Sequence, residues 1–437
     1  MAGAPAVVSP TWRNWAGNQS AQPRRMISPR SAEEVAEAVT TAAAEGLRVR
    51  MAGSGHSFTG AAVTDGMLLR PGALARVRSL DEHAGLVTVE AGCPLRVLNE
   101  HLQACGLALA NMGDIQEQTV AGAIQTGTHG TGRDLASIAA QVASLEMVLA
   151  DGTITSCSAG TDLFLAARVG LGALGVLTAV TFQVVPGFLL RAQEEPMRWS
   201  EVIARLDELT SSNEHFEFYW FPHTEGCLTK RNNRCDGPAR PLPGWRYRLD
   251  DEFLSNSVFG ATCRLGHRFP GMIPAVNAIA GKALGARRYV DASYRVFTSP
   301  RRVRFKEQEY AIPRENLAGV LAEIRALFAR RNWRISFPIE VRVAPADANW
   351  LSTAQGRDTA YIAIHVFHAS PHEEYFREVE AVMTAVGGRP HWGKLHTRDA
   401  AYLRGVYPEF AHFTALRDTL DPERRFANPY LEQVLGA

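Results

Sequence analysis

The sequence predicts an α+β protein built from two or three domains. The chain has 437 residues, whereas a single domain usually takes ~100–200 residues. In the first half, segments with helical spacing of apolar residues alternate with strand-like segments. Asp151-Gly152 lies between two of these strand-like segments and is typical of a β-hairpin, which predicts antiparallel pairing.

The elements of the first half are predicted from caps, breakers and apolar spacing. Ser31 to Glu34 forms a capping box that begins a helix, and Gly46 ends this helix near residue 45. Pro94 opens a second helix, which Gly106 closes. The predicted strands cover residues 47–51, 86–91, 143–149, 153–157 and 177–185. The last of them runs into Pro186-Gly187, where we expect the first domain boundary.

The second half has a different pattern. It contains an aromatic strand over residues 216–221 and a helix over residues 315–330. Residues 253–285 are apolar but are interrupted by Pro270 and Pro274. This stretch predicts short helices with buried faces, and a membrane-surface patch is the alternative.

Composition and charge exclude several classes of protein. The 46 Lys and Arg residues are balanced by 45 Asp and Glu residues, which is typical of a globular protein and not of a disordered one. The densest basic run, Arg301 to Arg304, is too short to follow a nucleic-acid backbone, so no nucleic-acid partner is predicted. The six cysteines show no C-x-x-C spacing, and no leader or long apolar run occurs. We therefore expect a cytoplasmic protein with reduced thiols and no membrane partner.

A first glycine-rich segment follows the strand over residues 47–51. It consists of Gly53, Ser54, Gly55, His56 and Ser57. Consecutive backbone N–H groups on such a turn form an anion-binding nest that can hold a pyrophosphate, with the histidine inside it. The alternative is a surface turn with an incidental histidine.

A second glycine-rich segment covers residues 111–133. Glycines are too frequent there for a helix or strand interior, and they suit a close approach of the backbone to a ligand. The candidate contacts to a flat ligand with polar edges are Thr119, Gly122, Gly127, Thr128 and Gly130. The alternative is a glycine-rich structural loop.

A third glycine pattern, Gly170 to Gly175, matches the G-x-G-x-x-G fingerprint but lies in the wrong context. It follows a helical stretch and precedes a strand, whereas a dinucleotide fingerprint follows a strand and opens a helix. A Rossmann-type site is therefore not predicted.

A strictly alternating strand is predicted over residues 337–343. Ile339, Val341 and Val343 face a core, so Glu340 and Arg342 project together from the other face. A carboxylate beside a guanidinium suits recognition of a polyol and stabilisation of developing negative charge. The alternative is an exposed strand with a weak ion pair.

The segment His391-Trp392-Gly393-Lys394 places an imidazole, an indole and a lysine beside turn residues. Lys394 is one of only four lysines in the chain. The alternative is an aromatic turn with a solvated lysine. His391 and His396 are possible metal ligands, but no nearby acidic residue completes a zinc-like pattern, so no metal site is predicted.

Taken in order, these segments resemble the aldonolactone oxidoreductases of the vanillyl-alcohol-oxidase-type flavoproteins. The resemblance covers nearly the whole chain and ends in Asp421-Pro422 and Phe426 to Leu431. It implies a two-subdomain FAD-binding domain over residues 1–186 and a substrate domain with a mixed sheet over residues 187–400. Residues 401–437 would return to the FAD-binding domain.

The resemblance also implies roles for individual residues. His56 would bond covalently to the 8α-methyl carbon of FAD, and the second glycine-rich segment would hold the pyrophosphate and the ring edge. Val180 and His391 are further expected cofactor contacts. Gly113 would lie over the reactive flavin carbon, where a glycine suggests an oxidase that uses dioxygen and forms hydrogen peroxide; a dehydrogenase with another acceptor stays open.

On the substrate side, the resemblance assigns Glu340, Arg342 and Lys394. Oxidation of an alcohol moves a hydride to the flavin and removes the hydroxyl proton, so a base or acceptor must lie near the oxygen. The expected substrate is the C2 hydroxyl of an aldono-1,4-lactone, and an alditol or a nucleoside is the alternative. A non-redox protein that binds a carbohydrate or a nucleotide is the rival class.

Overall fold

Residues 11–283 and 285–437 are described by a computed structural model, and they form three sheets of three or more strands with helices packed around them. The α+β class is therefore confirmed. The expectation that there is no leader concerns residues 1–10, which lie outside the described residues.

The first half of the chain forms a small parallel sheet and a larger antiparallel sheet. The strand order is β3-β5-β4 in the parallel sheet and β10-β9-β11-β7-β6 in the antiparallel one. The elements are β1 (Trp12–Arg13), β2 (Ser20–Ala21), β3 (Arg25–Ile27), α1 (Ala32–Ala44), β4 (Val49–Met51), β5 (Met67–Leu69), β6 (Val77–Asp81), β7 (Leu86–Glu90), α2 (Leu95–Ala104), β8 (Leu107–Ala108), α3 (Val120–Gln125), β9 (Val142–Val148), β10 (Ile154–Ser158), α4 (Asp162–Ala167), β11 (Val176–Gln183) and β12 (Val185–Pro186).

Local sequence signals explain how these elements begin and end. Ser31 accepts a hydrogen bond from the backbone N–H of Glu34 at the start of α1, while the Glu34 carboxylate accepts from the backbone N–H of Arg30. Gly46 follows α1 with a φ of 65°, a conformation that glycine adopts without steric cost. The predicted hairpin is β9–β10, with Ile154 paired to Val148.

The second half forms one eight-stranded sheet with the order β16-β13-β15-β14-β18-β19-β17-β20. Its elements are β13 (Leu189–Arg198), α5 (Trp199–Ala204), α6 (Leu206–Ser211), β14 (His215–Trp220), β15 (Gly226–Cys235), α7 (Gly244–Tyr247), a π-helix (Arg248–Val258), α8 (Phe259–Arg268), α9 (Ile273–Ala283), β16 (Arg287–Ala292), α10 (Ser293–Phe297), β17 (Phe305–Pro313), α11 (Leu317–Arg331), β18 (Ile339–Ala344), β19 (Thr359–Phe367), α12 (Glu373–Ala385), β20 (Arg389–Pro390), α13 (Ala400–Val406), α14 (Phe410–Leu420) and α15 (Pro429–Leu435).

The pairings of this large sheet differ from the mixed sheet that the resemblance implies, because every described pairing in it is antiparallel. β13 and β14 run in the same direction and are joined through α5 and α6, but β15 lies between them. The parallel pairings lie instead in the three-stranded sheet of the first half.

The two faces of the eight-stranded sheet have opposite character. Ile339, Val341 and Val343 lie on the face that joins α11 and α12 in one hydrophobic core, as the alternation predicts. The opposite face carries buried charged side chains and points towards the first half of the chain, since Thr131 binds the backbone of Phe216 and Val343.

The last helices pack against the first half of the chain. Leu403, Phe410 and Leu431 belong to the same core as the apolar side chains of β7, β11 and α2. Asn428 donates hydrogen bonds to the backbone carbonyls of Gly60, Ala61 and Val63. Among the described residues, we find no helix with the length and apolar character needed to cross a bilayer.

The apolar stretch is largely helical from Phe253 to Ala283, as expected, but only part of the expected burial occurs. Ile273 and Cys263 are buried, whereas Phe253, Phe269 and Ile279 are exposed by 54%, 52% and 70%. The inward-facing side of this segment is occupied largely by polar and small side chains, so most of the large apolar side chains point outward.

Candidate active site

The histidine loop, Gly53 to Ser57, lies directly against the turn that contains Lys394. The backbone N–H of Phe58 donates a 2.7 Å hydrogen bond to the carbonyl of Gly393. A Cβ atom at Gly393 would lie 3.2 Å from Ser57 Oγ, so this approach favours glycine. Two segments that are far apart in the sequence therefore meet at one place.

His56 lies in this loop as a half-buried side chain. The ring of Trp15 stacks on it with a centroid distance of 5.6 Å. Burial lowers the pKa of His56, so the imidazole is neutral at pH 7 and has a ring nitrogen with a free lone pair. Gly55 precedes it with a φ of 74°, which a residue with a side chain rarely adopts.

A cavity extends behind the histidine loop. Seven of the predicted cofactor residues line the cavity, and they are Gly53, Ser54, Gly55, His56, Ser57, Thr119 and Gly122. Further lining residues are Arg50, Gln118, Leu171, Gly172, Val176, Leu177 and Phe426.

The polar groups of the cavity fit an anionic dinucleotide. Arg50 is buried and donates to the carbonyls of Ala61, Leu171, Gly172 and Phe426, while no carboxylate among the described residues pairs with it. Its positive charge is therefore available to a diphosphate. Gln118 Oε1 is buried without a hydrogen-bond partner in the described protein, so it is an acceptor that a ligand can satisfy.

Six predicted cofactor residues do not line this cavity. Gly127, Thr128, Gly130, Gly113 and His391 are not among its lining residues, although Thr128 Oγ1 accepts a 3.1 Å hydrogen bond from the cavity residue Gln118. Val180 lies elsewhere: its side chain is packed in the core of the first half. Val176 and Leu177, earlier on the same strand, reach the cavity instead.

Glu340 and Arg342 lie on the polar face of the eight-stranded sheet and are 7% and 8% exposed. The alternative of a solvent-exposed ion pair is therefore wrong. The Arg342 guanidinium forms ion pairs with Glu340 and with Glu217, and its Nε donates to Glu217 Oε2 over 2.7 Å. The hydroxyl of Tyr219 lies 3.1 Å from Glu340 Oε1.

The carboxylates around Arg342 have different proton affinities. Burial alone would raise the pKa of Glu217, but Arg342 and Lys230 lower it to about 2. For Glu340, burial prevails over the attraction of Arg342, and the negative charges of Asp114 and Glu217 raise its pKa further. Glu340 is thus the carboxyl group of this cluster best suited to accept and release a proton near neutral pH.

Lys394 belongs to a second charged cluster on the same face. Its ammonium group forms an ion pair with Glu307 and lies 4.0 Å from Glu309 Oε2. Burial lowers the pKa of Lys394, but these two carboxylates outweigh the effect and raise it. The alternative of a solvated lysine is wrong, because the side chain is only 23% exposed and is paired.

His129, Glu309 and His391 place one possible ligand atom each within 4.8 Å of one another, as a metal centre would. His129 Nδ1 faces the carbonyl of Gly130, and its Nε2 faces Glu309 Oε1. His391 Nδ1 accepts from the backbone N–H of Gly393. Since these ring nitrogens already have protein partners, we interpret the group as a hydrogen-bonded cluster. His396 lies apart from it and binds Tyr430.

Sequence reasoning missed several residues of this region. Glu307 and Glu309 are on β17, and His129 lies between the predicted cofactor residues Thr128 and Gly130.

The segment Gly170 to Gly175 lies between α4 and β11, which confirms that it is no Rossmann fingerprint. Even so, Leu171, Gly172 and Gly175 line the cavity.

Comparison with known proteins agrees with this architecture. Residues 180–434 match the D-arabinono-1,4-lactone oxidase family, and residues 23–158 match an FAD-binding domain. The L-gulono-1,4-lactone dehydrogenase of Mycobacterium tuberculosis is 44% identical over 98% of this chain and 100% of its own length. The L-gulonolactone oxidase of Bos taurus is 35% identical over 97% of this chain and 98% of its own.

A solved structure supports the fold alone. Cholesterol oxidase from B. sterolicum superposes with a TM-score of 0.82 at 20% identity, over 97% of this chain and 96% of that one. The sequence matches go further, because they cover nearly the whole chain and include both the cofactor domain and the sheet that carries Glu340. The chain therefore belongs to the D-arabinono-1,4-lactone oxidase family and is an FAD-dependent oxidoreductase.

Proposed function

We propose that the enzyme oxidises the C2 hydroxyl of an aldono-1,4-lactone. The observation that carries this proposal is the hydrogen bond from Phe58 to Gly393, which holds the histidine loop of the cofactor cavity against the turn of Lys394. The names of the two relatives described above, a gulonolactone dehydrogenase and a gulonolactone oxidase, support a lactone substrate. FAD, when bound, supplies the hydride acceptor.

The charged groups of the sheet suggest how the substrate is held. Glu340 accepts a hydrogen bond from a substrate hydroxyl and, because its pKa is raised, takes up the proton that leaves during oxidation. Arg342 orients Glu340 and balances negative charge that develops on the oxygen. Lys394 contributes a second positive charge from the adjacent cluster.

We further propose that FAD is attached covalently to His56 and that dioxygen is the electron acceptor. The neutral, half-buried imidazole of His56 lines the cavity and supports the attachment. Gly113 supports the acceptor, since the resemblance places this position over the reactive flavin carbon and a Cβ there would lie only 3.0 Å from Thr128 Cγ2. Hydrogen peroxide would then be the second product. We place the enzyme in the cytoplasm, in keeping with its six free cysteines.

An anaerobic bleaching screen tests the proposed substrate. The holoenzyme is mixed without oxygen with L-gulono-1,4-lactone, D-arabinono-1,4-lactone, L-galactono-1,4-lactone, xylitol, sorbitol or a nucleoside, and the flavin absorbance is followed. We expect a lactone to bleach the flavin fastest. Faster bleaching by an alditol or a nucleoside would overturn the lactone assignment, and reoxidation by air then decides between oxidase and dehydrogenase.

Two variants test the proposed roles on the substrate side. Glu340→Gln and Lys394→Ala should each slow anaerobic flavin reduction by about 10²–10³-fold, the usual effect of removing one such group. Lys306→Ala is the matched control, because Lys306 is on the same sheet but lies 3.3 Å from the peripheral His372. Reduction rates equal to that of the control would show that Glu340 and Lys394 do not take part in the reduction of the flavin.

A further inference from the structure

The helical segment over residues 245–279 carries an unusual apolar surface. Among the described residues, eleven large hydrophobic side chains are exposed, and ten of them lie in this segment. They include Trp245 at 69%, Phe253 at 54%, Phe269 at 52% and Ile279 at 70% exposure. So many exposed large apolar side chains in one segment are uncommon on proteins that do not bind a partner there.

The segment is held in this orientation by polar side chains on its inner side. Asn277 is buried and donates to the carbonyls of Pro222 and Ile335. Asn256 is buried as well and donates to the carbonyls of Asp251 and Pro300. Polar side chains therefore occupy part of the inner side, beside the buried Cys263 and Ile273, while most of the large apolar side chains face outward.

The apolar surface is also positively charged. From Phe253 to Val290 the sequence contains no Asp or Glu. Arg248, Arg264 and Arg268 are exposed, and no carboxylate among the described residues forms an ion pair with them. The acidic residues just before this stretch are already paired, namely Asp250 with Arg246, Asp251 with Arg287 and Glu252 with Arg302.

We propose that the surface formed by residues 245–279 docks on an anionic lipid bilayer. Exposed aromatic side chains insert at the headgroup level, and the unpaired arginines attract the anionic lipids. A second copy of this chain fits less well, because a symmetric contact would bring two positive surfaces together. The site is separate from the cofactor cavity and from the charged clusters described above.

Vesicle flotation with the holoenzyme tests this proposal. Binding to phosphatidylcholine vesicles is compared with binding to vesicles that also contain phosphatidylglycerol. We expect at least about tenfold stronger binding to the anionic vesicles, with a loss at high salt. The triple variant Trp245→Ser, Phe253→Ser, Phe269→Ser should reduce the binding by about tenfold or more.

Matched variants separate docking from general effects. Arg264→Glu with Arg268→Glu should weaken binding to anionic vesicles by about tenfold or more, whereas Arg377→Glu with Arg404→Glu, two exposed arginines elsewhere, should not. Ile154→Ser is the control for the apolar variant, because Ile154 is 40% exposed outside the segment. Unchanged flavin absorbance shows that each variant is folded.

Three results would overturn the proposal. The first is a wild-type protein that floats with neither kind of vesicle. The second is a dimer in sedimentation velocity that the triple variant converts to a monomer, since the surface would then bind a second copy. Binding that the Arg377 and Arg404 control abolishes equally would also exclude a specific role for this segment.

Discussion

His129 lies between two hydrogen-bond acceptors, and one of them is the carboxylate of Glu309. Its Nε2 is 2.9 Å from Glu309 Oε1, and its Nδ1 is 2.9 Å from the carbonyl of Gly130. Both ring nitrogens of this buried histidine therefore have a protein partner within hydrogen-bond distance. Burial alone would raise the pKa of Glu309, but His129 outweighs this and lowers it. The two residues therefore form a buried, hydrogen-bonded histidine–carboxylate pair.

Removing one partner of this pair should destabilise the protein. Glu309→Ala leaves the buried Nε2 of His129 without its hydrogen-bond partner and should lower the free energy of unfolding by about 1–3 kcal/mol. Glu309→Gln should cost less, because its amide keeps a hydrogen-bonding group opposite His129 Nε2. Urea unfolding measures both. The control is Glu373→Ala. The side chain of Glu373 is 73% exposed and pairs with His372, so its loss should lower the free energy of unfolding by less than about 1 kcal/mol. A loss this small for Glu309→Ala would contradict the pair.

Acid should destabilise the protein within a defined pH range. Glu217 and Glu307 have folded pKa values lowered to about 2, against about 4.3 for an unfolded glutamate. Their stabilising contribution is complete above the unfolded pKa and is lost as the pH falls towards 2. Each carboxylate should contribute on the order of 2 kcal/mol. Unfolding free energies at pH 7, 4 and 3 should fall in that order, and a smaller fall is expected in Glu217→Gln. A constant value between pH 4 and 3 would count against these shifts.

The proposed attachment of the flavin depends on one nitrogen donor. His56→Ala should leave FAD bound but releasable, because the cavity residues stay in place while the covalent bond cannot form. Acid precipitation followed by absorbance of the pellet and the supernatant measures the covalent fraction. His83→Ala removes an exposed histidine and should retain the covalent flavin. Flavin that stays with precipitated His56→Ala would show that another residue forms the bond.

Arg50 should be needed for both the cavity and the fold. Arg50→Met leaves four backbone carbonyls without their donor, and the loss should exceed about 3 kcal/mol of unfolding free energy. The FAD content should fall too, since the positive charge beside the cavity is removed. Arg48→Met is the control: Arg48 is 44% exposed and pairs with Glu432, so its loss should cost less than about 1 kcal/mol. Equal stability and FAD content in the two variants would contradict this role.

Gly113 allows a test of the electron acceptor. In Gly113→Ala the new Cβ would lie 3.0 Å from Thr128 Cγ2 and 3.3 Å from the carbonyl of His129. We expect reoxidation by dioxygen to slow by at least about tenfold, or about 1.4 kcal/mol in activation free energy, while anaerobic reduction is preserved. Stopped-flow absorbance measures both steps. Gly72→Ala, where the added Cβ meets nothing, is the control. An unchanged reoxidation rate would show that this position does not control access of oxygen.

The sequence predicted the strand of Glu340 well because its pattern is local. Ile339, Val341 and Val343 alternate with Glu340 and Arg342, and a period of two assigns the faces without further information. The histidine loop was found for a similar reason, since several small residues follow one strand. In both cases a short run of residues determines the local geometry.

Other parts of the site depend on contacts that no short segment reveals. Glu307 and Glu309 alternate on β17 as on an exposed strand, and they are buried only because the first half of the chain covers that face. For the stretch over residues 253–285, the sequence predicted too much burial. Its apolar side chains predict buried faces, yet polar side chains such as Asn277 occupy part of its inner side. Composition alone does not determine which side of a segment faces inward.

The hydrogen bonds of Asn428 to Gly60, Ala61 and Val63 have a consequence for chimaeric proteins. Phe426 lines the cavity, so residues from both ends of the chain build the same compartment. A chimaera that joins the N-terminal part of one relative to the C-terminal part of another would mismatch these contacts between the two ends of the chain. Exchange of only the internal segment that forms the eight-stranded sheet keeps the contacts, so we expect that exchange to transfer substrate preference.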